Sequence, residues 1–296
     1  MTKERKVIRS IRAFIHLVRK VIQAIVTLLL LAVGLYCYAR YIEPRLLMVE
    51  EKRLSSTYLS PQEPPLRIIQ FSDVHLGDYY NESAFQDLVV KINSYSPDLV
   101  VFTGDLLDEG GKYKQGQQVA KLLESIKATY GKFAVYGNHD HGANGSKLYK
   151  EIMEQGGFTL LRNSDGVISL PSQKKIRLIG IDDYLLGSPD LEKAFAHIKT
   201  NQYNIFLSHV PDCADKVVQY PIDLQLAGHS HGGQVSIPFI GPPFTPPYAK
   251  NYIKGFYSFE SNPRMGLYVN RGIGSSQLPY RFMNIPELTL FLISGE

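Results

Sequence analysis

An apolar run near the N-terminus constrains this 296-residue chain more than any other feature. Residues 21–38 read VIQAIVTLLLLAVGLYCY, in which only Gln23 and Thr27 interrupt the apolar sequence. As a helix the run is about 27 Å long, close to the hydrocarbon thickness of a bilayer. Because a buried helix of a soluble protein rarely lacks a polar face over this length, residues 21–40 predict a transmembrane signal anchor.

The distribution of charge predicts the orientation of this anchor. Residues 1–60 hold 11 of the 32 Lys and Arg residues but only 4 of the 28 Asp and Glu residues, so the formal net charge of +4 originates here. Residues 1–20 form a basic lead-in, which the positive-inside rule places in the cytoplasm, and the rest of the chain is expected to be extracytoplasmic. The mildly acidic remainder predicts no nucleic-acid partner. A cleaved signal peptide is the alternative, because Ala32-Val33-Gly34 resembles a cleavage site.

After the anchor, residues 41–65 predict a tether and residues 66–296 one large domain. The apolar content excludes a disordered chain, and Cys37 and Cys213 can form at most one disulfide. Short apolar runs alternate with helical patterns in the first half of this domain, which predicts an α/β fold with a mixed sheet. Beyond about residue 232 the segments are of β type and suggest a second sheet packed on the first.

Polar side chains follow five of the predicted strands directly. Each motif alone is a weak signal that an ordinary polar turn also explains, but five of the eight histidines fall within the motifs. Because α/β sheets place their sites at the carboxyl ends of strands, we expect these side chains to form a metal site there. The motifs are Asp73-Val74-His75, Gly104-Asp105-Leu106-Leu107-Asp108, Gly137-Asn138-His139-Asp140, Ser208-His209 and Gly228-His229-Ser230-His231.

In this order the motifs resemble the five blocks of the calcineurin-like metallophosphoesterases. Three stretches within residues 231–282 resemble the membrane-anchored YkuE/YaeI-type branch: 231–234, 237–247 and 272–282. The resemblance implies a four-layer α/β/β/α sandwich of two mixed sheets flanked by helices. It also implies two divalent metal ions, bridged by Asp105. The implied ligands are Asp73, His75 and His231 for the first ion and Asn138, His209 and His229 for the second.

The same resemblance gives His139 the role of proton donor to the leaving group, oriented by Asp108. The mechanism expected is direct attack of a metal-bridging hydroxide on a phosphate ester, without a covalent enzyme intermediate. The mixed oxygen and nitrogen ligands suit Mn²⁺, Zn²⁺ or Fe, whereas Ca²⁺ prefers oxygen cages.

We therefore expect a membrane-anchored phosphodiesterase acting on envelope or lipid-linked phosphoesters. Two alternatives stay open: a pyrophosphatase of a nucleotide-sugar lipid, of the lipid A precursor type, and a non-catalytic metal-binding envelope protein. The apolar, Pro-rich segment 238–247 is either a rim that contacts lipid or an acyl chain, or a loop packed on its own sheet. Arg271 and Arg281 could contact a substrate phosphate or be structural.

Overall fold

The computed structural model describes residues 3–296, so the first two residues of the expected lead-in lie outside the described part. It begins with helix α1 (Lys3–Cys37), a π-helical turn (Tyr38–Ile42) and a 3₁₀ turn (Glu43–Arg45). The side chains of residues 6–37 are exposed to solvent. By its length and composition, this segment could cross a membrane.

Beyond this helix, the described residues form two six-stranded sheets with helices on their outer faces. The first sheet contains β1 (Met48–Ser56), β2 (Leu66–Phe71), β3 (Leu99–Phe102), β4 (Lys132–Ala134), β5 (Phe158–Leu160) and β12 (Glu287–Gly295). The second contains β6 (Ser164–Ser169), β7 (Lys175–Gly180), β8 (Tyr203–Leu207), β9 (Leu224–Ala227), β10 (Gly255–Phe259) and β11 (Asn262–Val269). The helices are α2 (Glu82–Ser94), α3 (Gly116–Glu124), α4 (Asn138–His141), α5 (Ser146–Gln155), α6 (Leu191–Ala194) and α7 (Ala214–Val217).

Both sheets are mixed, with parallel strands at their centres. The first has the order β1-β12-β2-β3-β4-β5 and is antiparallel between β12 and β2. The second has the order β10-β11-β9-β8-β7-β6 and is antiparallel at its two outermost pairs. The carboxyl ends of β2, β3 and β4 meet those of β8 and β9 at one edge, which is where parallel sheets place their sites.

The alternation of side chains along the strands builds the layers. On β2, Ile69 packs with Leu88 of α2, whereas its neighbour Ile68 packs between the sheets against residues such as Ile205 of β8. On β8, Phe206 faces the other way and packs against α6 and α7. Because successive side chains of a strand point to opposite faces, each sheet is buried on both sides. The four-layer α/β/β/α fold is confirmed.

The structure differs from the sequence prediction in two places. Residues 48–56, expected within the tether, form β1, which pairs in parallel with β12 from Met48 opposite Glu287 to Ser56 opposite Gly295. This charged segment is an edge strand, so its sequence lacks the apolar run of a central strand. The last predicted strand, β12, lies between β1 and β2 in the first sheet and not in a second sheet. Pairing between such distant segments leaves no local signal in the sequence.

Candidate metal centre

The residues after the strands turn sharply, which directs the polar side chains inward. Five of the seven predicted ligands have a left-handed backbone, with φ between 47° and 66°. Asp and His are among the few non-glycine residues that tolerate this conformation, and such strain is typical of functional sites. The five are Asp73, His75, Asp105, His229 and His231.

Two glycines in the motifs are required by close approach. A Cβ atom on Gly104, whose φ is +97°, would lie 2.6 Å from the backbone nitrogen of Gly137 and 2.7 Å from Nδ1 of His209. A Cβ atom on Gly228 would lie 2.0 Å from Oγ of Ser72. These contacts are far shorter than van der Waals distances, so only glycine allows the strand ends to converge.

A first group of ligand atoms surrounds His75. Its Nε2 lies 3.1 Å from Nε2 of His231 and 3.5 Å from Oδ2 of Asp105. Oδ1 of Asp73 lies 3.4 Å from Nε2 of His231. All four side chains are buried. The ligand atoms of Asp73, His75 and His231 all lie within 4.8 Å of one another, close enough for one cation to contact all three.

A second group surrounds His209 and shares the same carboxylate oxygen. Nε2 of His209 lies 3.2 Å from Oδ2 of Asp105 and 3.2 Å from Oδ1 of Asn138. Nδ1 of His229 lies 3.1 Å from the same His209 nitrogen. The structure therefore brings all seven predicted ligands together, with Oδ2 of Asp105 next to both groups.

The hydrogen bonds of the His209 and His229 rings are compatible with a cation between the two rings. Nδ1 of His209 is 2.8 Å from the carbonyl oxygen of Thr103, and Nε2 of His229 is 2.8 Å from that of Pro247. A ring nitrogen can only donate to a carbonyl, so when both rings are neutral the two nitrogens that face each other present lone pairs. Without metal, the proton that Asp105 favours on His209 occupies this position instead. Lone pairs at this distance repel unless a cation lies between them, and carbonyl partners on the distal nitrogen are typical of metal-binding histidines.

The pKa values of these histidines reflect the same electrostatics. Burial disfavours the charged form of His209, but the Asp105 carboxylate outweighs it and raises the pKa of His209 to about 10. Burial, together with the neighbouring His209, lowers the pKa of His229 to about 3. The negative potential of Asp105 thus attracts positive charge to the position between its carboxylate and the His209 ring. His229 is held in the neutral form that coordinates metals.

His139 lies beside both groups, with one ring nitrogen bonded to the backbone and the other facing the cavity. Its Nδ1 is 2.8 Å from the backbone carbonyl of Asp108, and its backbone N–H donates to Oδ1 of Asp105 over 2.8 Å. The ring is one-quarter exposed, and its Nε2 faces the cavity 3.4 Å from Oγ of Ser276. The carboxylate of Asp108 lies nearer to Nδ1 of His75, at 3.4 Å, than to that of His139, at 3.7 Å. The backbone carbonyl of Asp108 therefore holds the ring of His139, whereas the Asp108 carboxylate faces the predicted ligand His75.

Sequence reasoning missed the role of Asp140. This fully buried carboxylate accepts hydrogen bonds of 2.8 to 2.9 Å from the backbone N–H groups of Asp105, Leu106 and Gly137. It therefore joins two of the ligand loops. An acid at the third position of a short helix that begins after Gly137 is a capping pattern, which was the signal available in the sequence.

Arg281, which the sequence left as either a phosphate contact or a structural residue, is a neighbour of the centre. It is fully buried, and its Nη2 lies 3.3 Å from Nδ1 of His231. Burial lowers the pKa of Arg281 to about 10. By contrast, Arg271 pairs with Glu287 and Glu50 at the other end of the loop. Both arginines are thus engaged within the protein.

A cavity of about 700 Å³ opens over the ligands. Predicted ligands and His139 form its floor, and most of its remaining lining is apolar. This volume is typical of a small-molecule site. The apolar lining comprises Leu185, Leu186, Val235, Pro243, Phe244, Pro246, Pro247, Leu278 and Tyr280.

A two-sheet α/β fold with a shared carboxylate between two histidine groups defines a class of dinuclear metal hydrolases, and comparison with known proteins agrees. The profile of the family described as calcineurin-like phosphoesterase matches residues 66–233. The metallophosphoesterase YkuE of Bacillus subtilis is 42% identical over 90% of this chain and 92% of its own length. Phosphodiesterase YaeI of Escherichia coli is 30% identical over 80% of this chain and 85% of its own.

A third relative is the UDP-2,3-diacylglucosamine pyrophosphatase LpxG of Chlamydia trachomatis, which is 28% identical over 90% of this chain and 95% of its own length. This chain belongs to the calcineurin-like phosphoesterase family. It is accordingly a metal-dependent phosphoric ester hydrolase with a dinuclear centre.

Proposed function

We propose that this protein is a membrane-anchored, extracytoplasmic phosphodiesterase that acts on envelope or lipid-linked substrates. One observation carries the proposal: Oδ2 of Asp105 lies between the His75 and His209 groups at the floor of a cavity whose other walls are mostly apolar. The ions that the ligand groups would hold suit the phosphate of a substrate, and the apolar walls suit a hydrophobic substituent on it. The similarity to phosphodiesterase YaeI supports the diester preference.

The residues of the chain have separate roles in the proposed reaction. Asp73, His75 and His231 would hold one ion and Asn138, His209 and His229 the other, with Asp105 shared. When bound, the two ions supply a nucleophilic water at neutral pH and neutralise charge on the phosphate. Mn²⁺, Zn²⁺ or Fe fit this mixed ligand set.

His139 would protonate the departing alkoxide from Nε2, which faces the cavity. Its Nδ1 proton is held by the Asp108 carbonyl, and its backbone is held by Asp105, so the ring has a fixed direction. Proton donation by a positioned side chain is worth typically about 10²–10⁴-fold in rate. Water is the proposed nucleophile, so no covalent enzyme intermediate is required.

The membrane part of the proposal rests on α1 and its charge. Residues 6–37 are exposed, although the segment over 21–38 is apolar, and exposed apolar surface of this size requires a covering phase. The basic lead-in favours a cytoplasmic N-terminus. A reporter that is active only outside the cytoplasm, fused after Glu296 of the full chain, is expected to be active; an inactive reporter with an intact fusion would reverse the orientation.

A substrate panel on full-length protein in detergent tests the activity. With Mn²⁺ or Zn²⁺, we expect hydrolysis of an aryl phosphodiester and of a lipid-linked phosphodiester, with weaker hydrolysis of an aryl monoester. Asp105→Asn is expected to abolish the activity, because the shared ligand loses its charge, whereas Asp78→Asn at an exposed position leaves it unchanged. Hydrolysis of monoesters alone would contradict the proposal.

A second candidate function is hydrolysis of the pyrophosphate of a nucleotide-sugar lipid. It is favoured by the similarity to LpxG over nearly the whole length of both chains. Such a nucleotide substrate lies in the cytoplasm, against the proposed orientation. Including UDP-2,3-diacylglucosamine in the panel separates the two functions, since preferential release of UMP would favour the pyrophosphatase.

A further inference from the structure

The segment after β9 carries an exposed apolar tip. Residues 237–241 form a tight turn in which the N–H of Ile237 donates to the carbonyl of Gly241 over 2.9 Å. At the tip, Phe239 is fully exposed and Ile240 is 77% exposed. Phe239 also has a φ of 66°, a conformation that is rare for aromatic residues. The fold thus presents two large apolar side chains to the outside.

Further exposed apolar residues lie on the loop that pairs with this segment. Leu278 is 60% and Met283 is 54% exposed. The N–H of Ser236 donates to the carbonyl of Phe282 over 2.8 Å, and the N–H of Phe282 donates to the carbonyl of Gln234 over 3.0 Å. The tip and the loop 276–284 therefore form one surface, which we call the apolar rim and define by Phe239, Ile240, Leu278 and Met283.

The apolar rim is continuous with the end of α1. The N–H of Arg281 donates to the carbonyl of Ala39 over 3.0 Å. The rings of Tyr36 and Tyr280 are 5.8 Å apart, and those of Tyr38 and Phe282 are 6.3 Å apart. The same loop that bears half of the rim is thus bonded to the last turns of the membrane-length helix, which fixes the rim beside the point where α1 ends.

Charge also favours a lipid phase over water at this surface. Residues 235–248 contain no Asp, Glu, Lys or Arg, and neither do residues 272–280. Arg281, the next charged residue, is buried and turned towards His231. Tyr36 packs with Tyr280 and Tyr38 packs with Phe282 where the loop 276–284 meets the helical segment at the end of α1. Tyrosine is enriched where protein passes from lipid to water.

We infer that the apolar rim inserts into the bilayer that holds α1, so that the cavity over the metal centre opens at the lipid surface. This inference rests on the membrane anchor of the proposed function and specifies how the catalytic domain sits on the membrane. Leu278 of the apolar rim also lines the cavity, together with Phe244 and Tyr280, so a lipid-borne phosphodiester reaches the centre along an apolar path.

The absence of tryptophan from the sequence makes a direct test possible, because every tryptophan variant contains a single tryptophan, whose emission can be excited apart from that of the 19 tyrosines. Full-length Phe239→Trp, Leu28→Trp in α1 and Val90→Trp at an exposed position of α2 are reconstituted into phosphatidylcholine vesicles. Each variant is measured in two vesicle preparations, one with ordinary acyl chains and one with brominated acyl chains, and bromine quenches the emission of tryptophan that lies within the bilayer. We expect strong quenching for Phe239→Trp and Leu28→Trp and none for Val90→Trp.

The outcomes separate the inference from the anchor on which it rests. Quenching of Leu28→Trp without quenching of Phe239→Trp overturns the inference and leaves the anchor. Absence of quenching in both overturns the anchor as well. Equal quenching of Val90→Trp contradicts a specific rim. A concentration-dependent shift of Phe239→Trp emission in lipid-free detergent, without quenching by bromine, would assign the rim to a second copy of the chain.

An activity measurement provides the functional counterpart. In the double variant Phe239→Ser/Ile240→Ser, hydrolysis of a soluble aryl phosphodiester should be unchanged, since neither side chain lines the cavity. Hydrolysis of a lipid-linked phosphodiester in vesicles should fall severalfold. An equal fall on both substrates would indicate a structural role, and no fall on either would also contradict the inference.

Discussion

The backbone N–H of Arg281 donates a hydrogen bond of 3.0 Å to the carbonyl oxygen of Ala39. The guanidinium of the same residue lies 3.3 Å from Nδ1 of His231, a predicted metal ligand. One buried residue therefore contacts both the end of the apolar helix and the metal centre. It follows that the segment after the helix packs as part of the catalytic domain and does not merely tether it.

The first prediction concerns Glu43, which is 1% exposed and accepts hydrogen bonds from the backbone N–H groups of Met283 and Asn284. Glu43→Ala leaves both donors buried without a partner, which costs about 1–3 kcal/mol for each unsatisfied group. We expect a lower unfolding temperature of the full-length protein in detergent. Glu51→Ala, on an exposed position of β1, is the control, and equal temperatures for the two variants would contradict the prediction.

The second prediction separates two roles for Asp108. Because its carboxylate faces Nδ1 of His75 at 3.4 Å, Asp108→Asn should weaken metal binding, by about 10–100-fold as for other outer partners of metal-bound histidines. Competition with a chelator measures this affinity, and Glu109→Gln at the exposed neighbour is the control. Normal affinity with reduced turnover would instead support a role of the carboxylate in orienting His139.

The third prediction concerns His139, whose cavity-facing nitrogen is the proposed proton donor. His139→Ala should lower turnover of a phosphodiester by about 10²–10⁴-fold. Metal content measured on the same preparation should be nearly unchanged, because the predicted ligands stay in place. A parallel loss of metal and activity would show that His139 acts as a ligand.

The fourth prediction is a pH dependence of stability set by Asp182. Burial opposes ionisation of this carboxylate, but hydrogen bonds from His141, Ser188 and Arg162 outweigh it and hold the pKa of Asp182 well below its usual range. A depressed carboxyl pKa stabilises the folded state above the unfolded-state value of about 4, and this contribution is lost as the pH falls below that value.

Asp182→Asn should therefore reduce the free energy of unfolding most above about pH 5, and the difference from the natural chain should shrink below about pH 4. Denaturant unfolding of chelator-treated full-length protein across this range measures the difference. Asp78→Asn, at an exposed position, should show no such trend. A difference that is constant with pH would mean that the contribution of Asp182 is not electrostatic.

Local sequence was sufficient to predict the central strands that precede the motifs and the loops that carry the candidate ligands. The strands before Asp73, Asp105 and His229 are short apolar runs, and their register follows from the alternation of buried side chains. The motif residues are consecutive or nearly so. Close packing at positions 104 and 228 requires glycine, which can be recognised in the sequence. The parts of the site that lie within one loop are therefore readable from the chain.

Contacts between distant segments were not predictable in this way. β1 pairs with β12 across more than two hundred residues, and its charged sequence resembles a linker. Arg281 reaches His231 only because the 276–284 loop folds back over the centre. The backbone contact of Asp108 with His139 has no sequence signature, since a carbonyl is present at every position. Tertiary packing determines each of these relationships.

The central claim is that Asp105 holds two metal ions that act together, and a metal titration tests it most directly. Metal-free full-length protein is titrated with Mn²⁺ while bound metal and hydrolysis of an aryl phosphodiester are measured on the same samples. We predict that two ions bind per chain and that activity rises mainly with the second. Full activity at one ion per chain, or in the chelated protein, would contradict a dinuclear centre.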